Sequence, residues 1–171
     1  MPNPSINPGL RVVEIDGNHA KGVAFNMLFV IWRLQTTYEA MYHASRLVIE
    51  LGDRCPEGVG VLQIVDVGSK PPDARARAGI AEFLQTGAGI IRHSSVVHEG
   101  TGFGAAAVRA VMASLHMMHR PKFTHTTFST LGEASVYHAK HQQDLGHKET
   151  AEAVLRAVRQ LRAAIDSAVP A

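Results

Sequence analysis

A chain of 171 residues, 46% of them hydrophobic, is long enough for one domain with a substantial core and too apolar to stay disordered. Its 17 basic and 15 acidic side chains leave a formal charge of +2, which does not by itself define a nucleic-acid or membrane surface. The single cysteine, Cys55, excludes an intrachain disulfide and a thiolate-held zinc, and fits a reducing, cytoplasmic setting. The opening Met1-Pro2-Asn3-Pro4-Ser5 lacks the basic stretch and apolar core of an export signal, and the apolar run from Val23 to Leu34 is too short to cross a bilayer.

Residues 1–9, rich in proline and asparagine, read as a loose leader. Leu10 to Ile15 has the β-branched content of a strand, Asp16-Gly17-Asn18 is turn material, and the Val23–Leu34 run reads as one buried strand, so the two strands form a hairpin. Thr36 and Glu39 have the spacing of a capping box and predict a helix from about Thr37 to Arg54, stopped by Cys55-Pro56-Glu57-Gly58. Val59 to Val67 is almost continuously apolar, as expected of an interior strand covered on both faces. A helix over Asp73 to Leu84 follows, then a strand over Ile90 to His98.

The glycine-rich loop Gly100-Thr101-Gly102-Phe103-Gly104 delivers the chain into a helix from Ala105 to His119. The few polar residues of that helix predict burial over much of its circumference. Phe123 to Phe128 supplies a last strand, and Thr130 with Glu133 repeats the capping-box spacing before a helix ending near His141. A polar link, 142–147, leads to an amphipathic helix over 148–169, striped by Val154, Leu155, Val158, Leu161 and Ile165. The rhythm describes an α/β domain over 10–141, with a small mixed, mostly parallel sheet, flanking helices and an extra C-terminal helix.

Ten histidines include two pairs at three-residue spacing, His116 with His119 and His138 with His141, which can place two imidazoles on one helix face toward a metal. Few acids lie near either pair, and no HExxH or zinc-finger pattern occurs. The Gly100–Gly104 loop at a helix start, with Arg109 further in, can present free amides to an anion or to a partner. The plainer reading is tight turning, with Phe103 plugging the core. No nucleophile elbow is present, so no catalytic residue is assigned and no cofactor is expected. Arg156, Arg159 and Arg162 share a helix surface but lack interleaved aromatics, which argues against nucleic acid as the partner.

The order of elements, the junction from Gly102-Phe103 to Arg109 and the Arg120-Pro121 turn resemble the SpoIIAA-like or STAS-like superfamily, and in particular its divergent bacterial members, over about residues 10–141. The resemblance implies a small mixed sheet flanked by helices and a role in regulated protein association without catalysis. It also implies Ser69, after Asp66-Val67-Gly68, as the candidate phosphoacceptor, although Lys70-Pro71-Pro72 follows where the phosphoregulated members continue with small residues. The first expectation is therefore a non-catalytic signalling or scaffold module that binds another protein or a second copy of itself, without membrane insertion, through Ser69, the Gly100 loop or the terminal helix. The alternative is a small-ligand or metal-binding protein, conceivably an enzyme, using the histidines and the Gly100–Gly104 loop.

Overall fold

The computed structural model describes residues 9–168. Leader residues 1–8 and Val169, the last residue of the expected terminal helix, lie outside them. Six strands form one sheet in sequential order: β1 (Arg11–Ile15), β2 (His19–Ala24), β3 (Met27–Trp32), β4 (Val59–Val65), β5 (Ile91–His98) and β6 (Thr124–Phe128). β1, β2 and β3 make an antiparallel meander, and β3 to β6 pair in parallel. Among the described residues, five helices flank the sheet: α1 (Tyr38–Arg54), α2 (Ala74–Gly87), α3 (Phe103–His119), α4 (Leu131–Asp144) and α5 (Ala151–Ala168). The fold is thus the small mixed, mostly parallel α/β arrangement expected.

Strand alternation divides the core into two layers. Leu28, Val30 and Trp32 of β3 face α1, α2 and α3, whereas Met27, Phe29 and Ile31 face α4 and α5. With both faces covered, the central strands carry the near-continuous apolar runs that identify interior strands.

The expected single strand over Val23–Leu34 is two strands. The chain reverses at Phe25-Asn26, where Phe25 takes φ 57°, a left-handed conformation that glycine or asparagine more often supplies. Asn26 secures the reversal by donating from Nδ2 to the carbonyl of Gly58 at 2.8 Å. The cap of α1 also shifts by one residue, because Thr37 rather than Thr36 accepts the Ala40 amide. Half of the Thr130–Glu133 box forms: the Thr130 hydroxyl accepts the Glu133 amide, while the Glu133 carboxylate takes a hydrogen bond from that hydroxyl at 2.8 Å rather than from the Thr130 amide.

Two expectations about helices are corrected. α3 buries one narrow side, through Ala105, Val108, Met112 and Leu115, and leaves Met117 and Met118 exposed. It packs from one side against α2 and the cluster that holds Val96 of β5, and its alanines favour helix without needing burial. Phe103, expected to plug the core, is 92% exposed at the first turn of α3.

The expected partner stripe of α5 instead covers the chain's own sheet. Val154, Val158, Leu161 and Ile165 are buried against β1, β2, β3 and α4, with Leu155 half-buried at the margin. Gly22 of β2 allows this approach, since a Cβ there would stand 3.3 Å from Leu161 and 2.8 Å from Leu10. Ion pairs pin the same helix: Arg162 bonds Asp66 at 2.9 Å and Glu99 at 2.7 Å, and Arg33 pairs with Asp166. Arg162 is therefore engaged within the fold. The 142–147 segment, read as a linker, begins inside α4, where Gln142 is buried.

Because α5 closes one layer of the core, truncating Leu161, which has no exposed surface, removes packing from β2 and α4 together. Leu161→Ala is expected to lower unfolding free energy by about 2–5 kcal/mol, read from urea denaturation. A loss under ~1 kcal/mol would mean that α5 is not part of the cooperative core.

Candidate functional site

Two clusters of polar side chains occupy opposite faces of the sheet. The first arises from the β1–β2 hairpin. Alternation along β2 sends His19 and Lys21 toward α1, and register places Glu14 of β1 opposite Lys21. An irregularity between Val12 and Glu14 sets Glu14 on that face. The Glu14 Oε2 atom lies 2.5 Å from Lys21 Nζ, 2.6 Å from Nδ1 of His43 on α1, and 3.3 Å from Nε2 of His19. Lys21 has no exposed surface, and its Nζ is also 2.9 Å from His19 Nε2.

Charge in this cluster is governed by burial and pairing together. Burial opposes ionisation of Glu14, but hydrogen bonds from Lys21 and His43 and the charge of Lys21 hold its carboxyl down at about 2. Burial pushes the Lys21 ammonium below its usual range, with Glu14 restoring part of the loss. Burial and the neighbouring Lys21 likewise lower His19. His19 Nδ1 lies 3.1 Å from Asp16 Oδ1 without hydrogen-bond geometry. That oxygen is engaged by the amides of Asn18 and His19, which close the turn between β1 and β2.

Glu14, Asp16 and His19 each offer a ligand atom, all within 4.8 Å of one another, and among the described residues they are the one group of three or more metal-binding side chains that converges so closely. None was singled out from the sequence. The available signal was Asp16-Gly17-Asn18 followed by His19 and Lys21 at strand spacing, but the Glu14–Lys21 pairing exists only once the register is known.

The second cluster lies on the α4 side. Gln142 donates from Nε2 to Nε2 of His93 at 3.3 Å, His93 Nδ1 meets His138 Nδ1 at 2.8 Å, and His138 Nε2 meets the Ser95 hydroxyl at 2.7 Å. All four residues are buried. Running donor to acceptor from Gln142 to Ser95, the chain closes only with both imidazoles neutral, since an added proton on either ring sets N–H against N–H. Burial, reinforced by neighbouring histidines, accordingly lowers His93 to about 3 and places His138 well below its usual value. His141 stacks on His93 with ring centres 5.2 Å apart.

Of the expected His138–His141 pair, His138 joins a third histidine, His93, in a buried hydrogen-bonded network, whereas His141 only stacks on His93 and is partly exposed. Of the other pair, His119 Nδ1 lies 3.3 Å from Gln85 Nε2, and the side chain of His116 is outside the described residues. Ser69 is half-buried just beyond β4, its amide donating to the Asp66 carbonyl at 3.0 Å. In the Gly100–Gly104 segment the Gly100 amide bonds back to His98 Nδ1 at 3.1 Å, Gly102 takes φ 84°, and Thr101 to Gly104 are exposed, as is Arg109. No family model matches the chain, no curated protein matches it, and no solved structure matches it. No helix among the described residues is long and apolar enough to cross a membrane.

Because His93 and His138 are held neutral when folded, the unfolded chain binds protons below pH 6.5 that the folded chain refuses, down to about pH 3 for His93. Each such group lowers stability by ~1.4 kcal/mol per pH unit across its window. Moving from pH 7.5 to pH 5 is therefore expected to lower unfolding free energy by about 2–4 kcal/mol, measured by urea titration. Equal stability at the two pH values would show that the rings accept protons in place. Glu14 adds a further loss below about pH 4.5, as acidity approaches its folded value of about 2.

Proposed function

We propose that the protein is a small-ligand-binding α/β module that takes a divalent cation at Glu14, Asp16 and His19. The observation supporting this reading is the convergence of two carboxylates and one imidazole at the turn between β1 and β2. Lys21 already supplies a positive charge at His19 Nε2 and Glu14 Oε2. His19 Nδ1, facing Asp16, is the nitrogen open to an ion. One nitrogen and two carboxylate donors suit a borderline metal such as zinc, with a further position left for water or ligand. Register sets His19 opposite Trp32, at the C-terminal end of β3, the end of a parallel sheet where open α/β folds carry their sites.

The association reading, with its SpoIIAA-like or STAS-like identity, retains one observation in its favour: the exposure of Phe103, Met117 and Met118 along α3. The inward stripe of α5 weighs against that helix as the partner surface.

Asp16→Asn separates a metal role from a turn role, because an asparagine oxygen still accepts the Asn18 and His19 amides while the negative charge is lost. In calorimetric titration with zinc at pH 7.5, the wild-type protein is expected to bind one ion per chain at this site. The D16N variant is expected to bind about tenfold or more weakly, with little change in melting temperature. Equal affinity in the two proteins, or no binding by the wild type, rules the metal reading out.

A further inference from the structure

On the same face of the sheet, beyond Trp32, a cleft opens between the strands and helices α2 and α3. It is open at its mouth, and the unfilled space of about 570 Å³ that it marks out includes solvent there. Its interior is narrow. The walls are apolar, with Phe83 and Leu84 from α2, Val108 and Met112 from α3, and Val96 from β5. Such a space fits a slender hydrocarbon body rather than a bulky or strongly hydrated one.

The polar side chains of the lining are Thr36, Gln63, Ser69, Lys70 and His125, and of these Gln63 and Lys70 bear on what that body carries. Gln63 is only 8% exposed, and its Oε1 accepts the Trp32 indole N–H at 2.9 Å. An indole can only donate, so this bond fixes the amide and presents its NH₂ group with no hydrogen-bond partner among the described residues. A donor that lines a cleft and has no acceptor within the protein can take one from a ligand. At the mouth stands Lys70, exposed and in no ion pair among the described residues.

The nearby carboxylates are engaged elsewhere. Asp66 is held by Arg162, and Asp73 accepts the Ala76 amide at the start of α2. Asp73 keeps its charge, but no acidic side chain lines the cleft itself, where Lys70 is the one lysine or arginine. We propose that this cleft binds a slender apolar carboxylate, the chain lying between the sheet and α2–α3 and the acid group taking hydrogen bonds from Lys70 and Gln63. The site stands independently of any metal at Glu14, Asp16 and His19.

Trp32 is the chain's one tryptophan and lines the cleft, so its emission reports occupancy. Octanoate, titrated into the full chain with a chelator present, is expected to shift that emission saturably. Octylamine, of equal chain length and opposite charge, is expected to bind about tenfold or more weakly. Lys70→Glu, at an exposed position, is expected to weaken octanoate by about tenfold or more. Gln63→Glu, which keeps an acceptor for the Trp32 N–H and replaces the NH₂ donor by a carboxylate oxygen, is expected to weaken it by about tenfold or more. Absence of a saturable shift, equal binding of octylamine, or undiminished octanoate affinity in K70E overturns the proposal. The chelator keeps the outcome separate from that of the zinc titration.

Discussion

A lysine ammonium with no exposed surface sits within the sheet, and the local structure of three elements is organised around it. Left alone, such a charge is costly to bury, so Lys21 requires an anion at contact distance. Glu14 supplies it from edge strand β1, with the register shifting between Val12 and Glu14 so that the carboxylate reaches the α1 face. His43 then brings α1 down onto the same oxygen. Edge strand, second strand and first helix are tied at one atom, and the antiparallel meander is thereby joined to the parallel half of the sheet.

The same economy of buried charge distinguishes the two polar clusters. On the α4 face, neutral imidazoles satisfy one another in a directed chain with no carboxylate among them, and the result is a rigid, proton-refusing seam between β5 and α4. On the α1 face, charged groups of both signs meet beside a surface turn, with Asp16 about half exposed. A sealed neutral network holds elements together. A mixed-charge cluster open at one side can exchange a proton or an ion, which is why the functional reading belongs to the hairpin rather than to the larger histidine group.

What was legible in the sequence follows from how local each signal is. The Thr130–Glu133 box and the apolar spacing of α1 depend on residues within a turn or two of one another, and those elements appear within a few residues of their expected bounds. The Phe25-Asn26 reversal was not legible, because β2 and β3 are both covered on two faces, so no polar alternation marks the break. The turn also uses phenylalanine where glycine is the usual signal. Nor was the candidate site: Glu14, His19 and His43 become neighbours through strand register and helix placement. Phe103 shows the converse error, an apolar residue assigned to the core by type alone, although folded surfaces retain much apolar area.

Trp32 connects the two halves of the functional reading. Its ring lies 5.4 Å from that of His19 on one side, while its N–H holds Gln63 at the cleft on the other. On the His19 side, Lys21 and Glu14 largely cancel, so little net field from that pair reaches across the indole. Lys70, which lines the cleft, makes no ion pair among the described residues. The proposed anion at the cleft and the proposed cation at the hairpin carboxylates therefore make opposite demands on this end of the sheet. Two sites of opposite preference can stand side by side because one lysine is sealed with its partner and the other is left open to solvent.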